Sequence, residues 1–78
     1  MFHLIITAID KVFFDGQVRS LNCKGVSGEM TILARHAPLV TMLKEGVLKI
    51  ETGSERKEIS VKSGFLAVHK DETIILVS

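Results

Sequence analysis

The chain has 78 residues, of which 46% are hydrophobic and 24% charged, and ten Lys and Arg against nine Asp and Glu leave a formal net charge of +1. This length excludes more than one domain, and the apolar content excludes a disordered chain. The near-neutral charge and the lack of Trp and Tyr exclude a basic platform on which bases stack. We therefore expect a single domain over residues 1–78 with no nucleic-acid partner.

The N-terminal stretch "FHLIITAI" is typical of a β-strand with two apolar faces. Alternation places Phe2, Leu4 and Ile6 on one face and Ile5 and Ile9 on the other. A strand that is apolar on both sides is covered on both sides, either inside its own domain or by another protein. So small a domain has little room for such strands. We therefore expect the surface around Ile5 and Ile9 to belong to an interface.

Cys23 is the only cysteine, which excludes an internal disulfide and is typical of a reducing compartment. It alternates with Leu21, a pattern that predicts a small buried residue rather than a nucleophile. The N-terminus lacks the features of a cleaved signal peptide, and no apolar run approaches the roughly 20 residues of a membrane helix. These observations predict a soluble intracellular domain without direct membrane insertion.

The segment "GEMTILARHAPLVTMLKEG" groups Glu29 and His36 close to the only proline of the chain. Pro38 fixes its own φ angle and favours an extended Ala37, which predicts a corner between two strands. Beside such a corner, His36 by itself is expected to have a structural role.

Potentially reactive residues do not form a recognisable catalytic or metal-binding pattern. The histidines His3, His36 and His69 are not at the short spacing of a ligand pair, either with one another or with Cys23. The glycines match neither a phosphate-binding loop nor a dinucleotide fingerprint. The sequence therefore predicts no catalytic residues, no cofactor and no metal.

Two segments in the C-terminal half, "VLKIET" and "KEISVK", alternate cleanly between apolar and polar residues. They predict a hairpin with Leu48, Ile50, Ile59 and Val61 inward and a charged, solvated outer face. The last segment, "ETIILVS", is apolar on both faces, and we expect Ile75 on the interface side. Turn signals recur about every 8–12 residues, which favours an all-β sandwich or flattened barrel over a mixed α+β fold.

The stretch "GEMTILARHAPLVTMLKEGVLKI" resembles the pattern "GE(L/F)GILPGHAPLLTxLxxGxLxI" of the epsilon subunits of F-type ATP synthases, called delta in mitochondria. The likeness continues through the "F.G.V" turn near the N-terminus and the closing "SGFLAVHKDETIILVS". It implies a flattened ten-stranded β-sandwich; the family's C-terminal helical hairpin has no counterpart in these 78 residues. One departure is at the corner, where Ala34 and Arg35 stand in place of the Pro-Gly of the pattern.

The resemblance implies a non-catalytic rotor subunit that links the gamma subunit to the c-ring and supports coupling of ion translocation to ATP synthesis. It implies a peripheral location at the cytoplasmic face of a bacterial plasma membrane. The loop facing the c-ring matches Ser27, Gly28, Glu29 and Met30, with His36 at the same end. Ile5, Ile9 and Ile75 are the residues expected to face gamma. The alternative is a free-standing sandwich that self-associates as a homodimer or binds a small ligand.

Overall fold

A computed structural model describes residues 1–35 and 37–78 of the protein, and every regular element in this part of the chain is a β-strand. The all-β expectation is therefore confirmed, with nine strands in the described residues where ten were expected. In chain order they are β1 (Phe2–Thr7), β2 (Val12–Val18), β3 (Ser20–Gly25), β4 (Gly28–Leu33), β5 (Leu39–Leu43), β6 (Gly46–Glu51), β7 (Arg56–Val61), β8 (Gly64–Val68) and β9 (Glu72–Val77). The described residues contain no helix that could cross a membrane.

The strands form one sheet in the order β2-β1-β9-β8-β5-β3-β6-β7, with β4 paired to β3. All pairs are antiparallel except β1 with β9, which is parallel. The sheet curls on itself because β3 serves two neighbours: Ser20–Asn22 pairs with β6, whereas Gly25 pairs with Leu43 of β5. The result is a curled sandwich whose two layers enclose one core.

The core follows the alternation of side chains along the strands. The buried apolar residues are Phe2, Leu4, Ile6, Val18, Leu21, Cys23, Ile32, Leu43, Leu48, Ile50, Val61, Leu66, Val68 and Ile75. The inward orientation predicted for Leu48 and Ile50 is confirmed, as is the burial of Cys23. The predicted hairpin of β6 and β7 is present, and in its register Leu48 lies opposite Ile59 and Lys49 lies opposite Glu58.

One sequence expectation about this core is wrong. Ile75 has no exposed surface, so it cannot face a partner. In β9 the inward positions are Thr73 and Ile75, and the side chains that face outward are Ile74 and Leu76. The expectation failed because β9 is apolar on both faces, so that alternation alone does not identify the inner one.

Register also decides which turns share an end of the sandwich. Gly25 pairs with Leu43, Leu43 with Gly64, and Gly64 with Val77. The β3–β4 turn at Val26 therefore lies at the same end as the loops over residues 8–11, 44–45 and 62–63. We call this the tip end. Residues 34, 35, 37 and 38 and residues 69–71 lie at the opposite end.

Candidate partner-binding surfaces

Part of the outward surface of five neighbouring strands is apolar, and the charged or titratable outward side chains His3, Asp15 and Glu72 lie beside it. We call the apolar part the outer apolar face. Its members carry no charge: Ile5, Thr7, Val12, Val40, Met42, Phe65, Ala67, Ile74 and Leu76. The most exposed are Val40 at 60%, Met42 at 59%, Val12 at 58% and Leu76 at 50%. Contiguous exposed apolar surface of this kind is typical of an interaction site.

Cross-strand pairing makes this face continuous. Met42 lies opposite Phe65, Phe65 opposite Leu76, Leu76 beside Thr7, and Thr7 opposite Val12. A second row runs parallel to the first from Val40 through Ala67 and Ile74 to Ile5. Directly opposite side chains on a sheet lie about 4.5–5.5 Å apart at Cβ. The two rows therefore form one surface rather than scattered apolar residues.

The sequence predicted only part of this face. Ile5 is half-buried and faces outward, as its position in the alternation indicated. Met42, Phe65 and Leu76 were missed, although the two-sided apolar segments "LVTML" and "GFLAV" carried the same signal as β1. Ile9 is fully exposed, but it lies in the β1–β2 loop at the tip end and not on the sheet face.

A polar rim borders the face along β1 and β2. His3 Nε2 and Asp15 Oδ1 are 2.5 Å apart across these strands, a hydrogen bond between partly exposed side chains. Asp15 lies opposite Ile5, the last apolar residue of its row. An apolar centre with a polar rim is the anatomy of a protein–protein interface.

The other layer of the sandwich has the opposite character. Lys49 lies opposite Glu58 and Glu51 opposite Arg56 on the outer side of the β6–β7 hairpin. Asn22 Nδ2 donates a hydrogen bond of 3.1 Å to the Thr31 hydroxyl beside an open polar cleft of about 300 Å³. This is the solvated face that the alternation of the hairpin predicted.

The β3–β4 turn presents Ser27, Gly28 and Glu29 to solvent at the tip end. Gly25 pairs with Gly28, so that Val26 and Ser27 form a two-residue connection. Gly28 has a φ of +130°, a conformation that L side chains rarely adopt, and a Cβ there would meet nothing within 4 Å. Backbone geometry rather than crowding therefore requires glycine at this position. Glu29 projects outward beside the turn, opposite Lys24.

Met30 is placed differently from its neighbours. It follows the inward alternation of Ile32, is half-buried and packs against the core. Its Cε would lie 2.8 Å from a Cβ at Gly25, so the absence of a side chain at Gly25 leaves room for it. The expectation that Met30 contacts the c-ring stays a prediction: its side chain packs partly against the core, and only its exposed part could meet a partner.

The expectation for His36 lies outside the described residues. β4 runs from the tip end to Leu33, and Ala34 and Arg35 lie at the opposite end of the strand from Glu29. Arg35 has a φ of +65°, a left-handed conformation that is uncommon in residues other than glycine. The backbone at position 35 therefore has a conformation that favours the glycine found there in the family pattern, although this chain has arginine at that position.

Reactive groups do not converge in the described part of the chain. Burial raises the pKa of the Cys23 thiol to about 11, which keeps the thiol protonated and unreactive near neutral pH. No three His, Cys, Asp or Glu side chains among the described residues are arranged to hold a metal ion. The described residues are suited to binding, through one apolar face and through an exposed tip end that carries Ser27 and Glu29 together with the apolar Ile9 and Val26.

These features define a small β-sandwich domain with one solvated face and one uncovered apolar face. The chain belongs to the family of ATP synthase delta/epsilon chain beta-sandwich domains, whose model matches residues 1–78.

Two relatives illustrate the match. The chain is 41% identical over 75 residues to the ATP synthase epsilon chain of Alkaliphilus metalliredigens, covering 96% of this chain and 56% of that protein. It is 44% identical over 69 residues to the epsilon chain of Leptospira borgpetersenii, covering 88% and 54%. The chain thus spans about half the length of these curated relatives.

Similar folds occur in cryo-EM structures of two mitochondrial ATP synthases. A chain of the Euglena gracilis enzyme, in a structure of its OSCP, F1 and c-ring, matches with a TM-score of 0.91 at 24% identity, covering 97% of this chain and 49% of that chain. A chain of the Tetrahymena thermophila central stalk and c-ring matches with a TM-score of 0.83 at 23% identity, covering 97% and 62%. These similarities support the fold.

Proposed function

We propose that this chain is a non-catalytic subunit of the central stalk of an F-type ATP synthase, where it links the gamma subunit to the c-ring and supports coupling of ion translocation to ATP synthesis. The observation that carries the proposal is the outer apolar face, five strands wide and without a charged member. Membership of the ATP synthase delta/epsilon family indicates the complex in which the chain works. The proposed location is peripheral, at the cytoplasmic face of a bacterial plasma membrane.

The outer apolar face is proposed to bind gamma. Complete burial of a Phe or Leu side chain contributes about 1.5–3 kcal/mol. Phe65 and Leu76 are each about half exposed and lie side by side near the middle of the longer row. Their burial against a complementary surface provides a driving force that the free chain does not use. Of the residues first expected to face gamma, Ile5 belongs to this surface.

The turn at the tip end is proposed to contact the polar loops of the c-ring. Ser27, Gly28 and Glu29 are exposed there, and Gly28 lets a neighbouring backbone approach closely because its Cβ position is empty. Ile9 is also at the tip end, so we assign it to this end of the molecule rather than to the gamma surface. The outer apolar face and the tip end then contact two different partners at the same time.

Calorimetric titration of the folded chain with the isolated gamma subunit of a bacterial F-type ATP synthase tests the proposal. We expect one-to-one binding with a sub-micromolar Kd. Phe65→Lys places a charge at the centre of the face and should weaken binding at least 100-fold. Thr31→Lys adds the same charge on the solvated layer, where Thr31 lies opposite Asn22, and should leave the affinity unchanged.

The same face supports a second candidate, a sandwich that associates with itself. Sedimentation of the isolated chain over a range of concentrations distinguishes the two functions. A tight homodimer that Phe65→Lys dissociates, together with no affinity for gamma, would favour self-association and reject the stalk assignment. Gamma binding by a monomeric chain would reject self-association as the function.

A further inference from the structure

Three strands have a neighbour on one side only in the described residues: β2, β4 and β7. An edge strand carries a row of unpaired N–H and C=O groups, which proteins usually protect with charged side chains. β7 is protected in this way by the consecutive Arg56, Lys57 and Glu58, all exposed. The edge of β2 lacks such protection.

The regular part of β2 is Phe14–Val18, because the register with β1 skips Phe13. It has one charged side chain, Asp15, and that carboxylate is already hydrogen-bonded to His3. A bulge at Phe13 limits the length available for pairing but leaves five residues in regular register. These residues have no run of charged side chains of their own, although the Lys57 ammonium of β7 lies over the Phe14 ring, 5.5 Å from its centroid.

A cleft of about 440 Å³ lies at the tip end of this edge, between the bulge residue Phe13 and β7, and Ser60 and Lys62 are among its polar lining residues. Its apolar lining comes from Phe13, Ile59, Val61 and Val77. A strand that pairs with Phe14–Val18 and continues past the bulge would reach this cleft and place every second side chain on its inner side, because successive side chains alternate between the two sides of a sheet. The backbone edge therefore fits an extended polypeptide, and the cleft offers apolar contacts to the end of that polypeptide nearest the tip end.

We propose that an extended segment of the gamma subunit, the partner that covers the outer apolar face, adds as a further strand to β2 along Phe14–Val18. The inference rests on the proposed function. Val12 at the start of β2 is itself a member of the outer apolar face, so the edge and the face are continuous. A second copy of this chain fits less well, because edge-to-edge pairing of two sheets would leave the outer apolar face uncovered.

The alternation of the β1–β2 ladder indicates which groups receive the added strand. The Ala8 N–H donates to the Lys11 carbonyl at the end of the hairpin, a distance of 2.7 Å. Hydrogen-bonded and non-hydrogen-bonded pairs alternate from there along an antiparallel ladder, with the bulge accounting for one extra residue. We therefore expect the N–H groups of Asp15 and Gln17 to point away from β1.

Residue-resolved amide exchange of the chain, free and saturated with isolated gamma subunit, tests this arrangement. In the free chain the Asp15 and Gln17 amides should exchange rapidly, and on binding they should slow by at least tenfold. Rapidly exchanging amides on the open edge of β4, which does not line this cleft, should keep their rates and serve as an internal control. Binding without slower exchange in β2 would overturn the added strand while leaving the proposed function intact. A lack of binding would overturn both.

A pair of substitutions at one position isolates the backbone contribution. Gln17→Pro removes an N–H that the fold itself does not use, and proline is tolerated at the open side of an edge strand. Gln17→Ala removes the side chain but keeps the N–H. We expect the proline variant to bind gamma at least tenfold more weakly and the alanine variant to bind normally. Equal affinities in two folded variants would overturn the proposal, and the exchange measurement decides it if the proline variant fails to fold.

Discussion

Phe65 lies directly opposite Leu76 across the antiparallel β8–β9 pair, and the side chains are 44% and 50% exposed. Phe65 also lies opposite Met42, and Leu76 also lies beside Thr7. These two large, exposed apolar side chains are therefore part of a continuous surface. An isolated domain gains nothing from such an arrangement, because large exposed apolar patches promote association. The relationship therefore makes sense for a chain that works inside an assembly.

The first prediction concerns this pair in the free chain. Replacing both residues, Phe65→Ser with Leu76→Ser, should reduce concentration-dependent association and dye binding to exposed apolar surface. The free energy of unfolding should fall by no more than about 1 kcal/mol, the upper range for one cross-strand pair. Light scattering and urea unfolding measure the two effects. A loss of several kcal/mol would mean that the pair belongs to the core.

The second prediction concerns the core beneath the charged hairpin. Leu48→Ala should destabilise the chain by about 2–5 kcal/mol, because Leu48 is 1% exposed and its truncation leaves a cavity. The melting temperature should fall by at least about 8 °C in a domain of this size. Val47→Ala, at the neighbouring outward position, is the matched control and should change stability by about 0.5 kcal/mol or less. Similar effects of the two substitutions would contradict the inward orientation of Leu48.

The third prediction concerns the corner after β4. Arg35→Gly should stabilise the chain by about 1 kcal/mol, because glycine adopts the observed left-handed conformation without the steric cost that a side chain carries. Thermal unfolding should show this as a rise in melting temperature of about 4–8 °C. Arg35→Ala keeps the Cβ and removes the charge, so it should give no such rise. Equal stabilisation by alanine would assign the effect to charge instead of backbone conformation.

The fourth prediction follows from the buried thiol of Cys23. Burial raises its pKa from 9.0 to about 11, so the folded chain binds this proton more tightly than the unfolded chain. The contribution to stability is complete below pH 9 and is lost progressively as the pH rises from 9 to 11. Cys23→Ala should therefore show a smaller loss of unfolding free energy over this interval than the parent chain. Parallel pH profiles for the two proteins would contradict the assignment.

The fifth prediction concerns the tip within the assembled enzyme. Glu29→Ala should lower ion-driven ATP synthesis in membrane vesicles, since Glu29 is the exposed carboxylate of the turn proposed to meet the c-ring. The stability of the isolated chain should change by about 0.5 kcal/mol or less, as for most exposed positions. Glu58→Ala, on the solvated face, provides a carboxylate control and should leave synthesis unchanged. Unchanged synthesis with Glu29→Ala would place the ring contact on another loop.

The sequence by itself determined the class of fold, the β6–β7 hairpin and the family. Clean alternation in "VLKIET" and "KEISVK" gave only one way to bury Leu48 and Ile50 while solvating Lys49, so local pattern and tertiary structure agree. The burial of Cys23 followed from the same rule. The ordered series of motifs around "GEMTILARHAPLVTMLKEGVLKI" was sufficient to identify the family from the sequence alone.

Only the tertiary structure decided which side of β9 faces the core. Burial of apolar surface has no preferred direction, so a strand such as "ETIILV" satisfies it equally with Ile75 or with Ile74 and Leu76 inside. The parallel pairing with β1 and the antiparallel pairing with β8 settle the choice, and these contacts join residues far apart in the chain. The same long-range register brings Met42, Phe65 and Leu76 onto one face and sends Ile9 to the tip end.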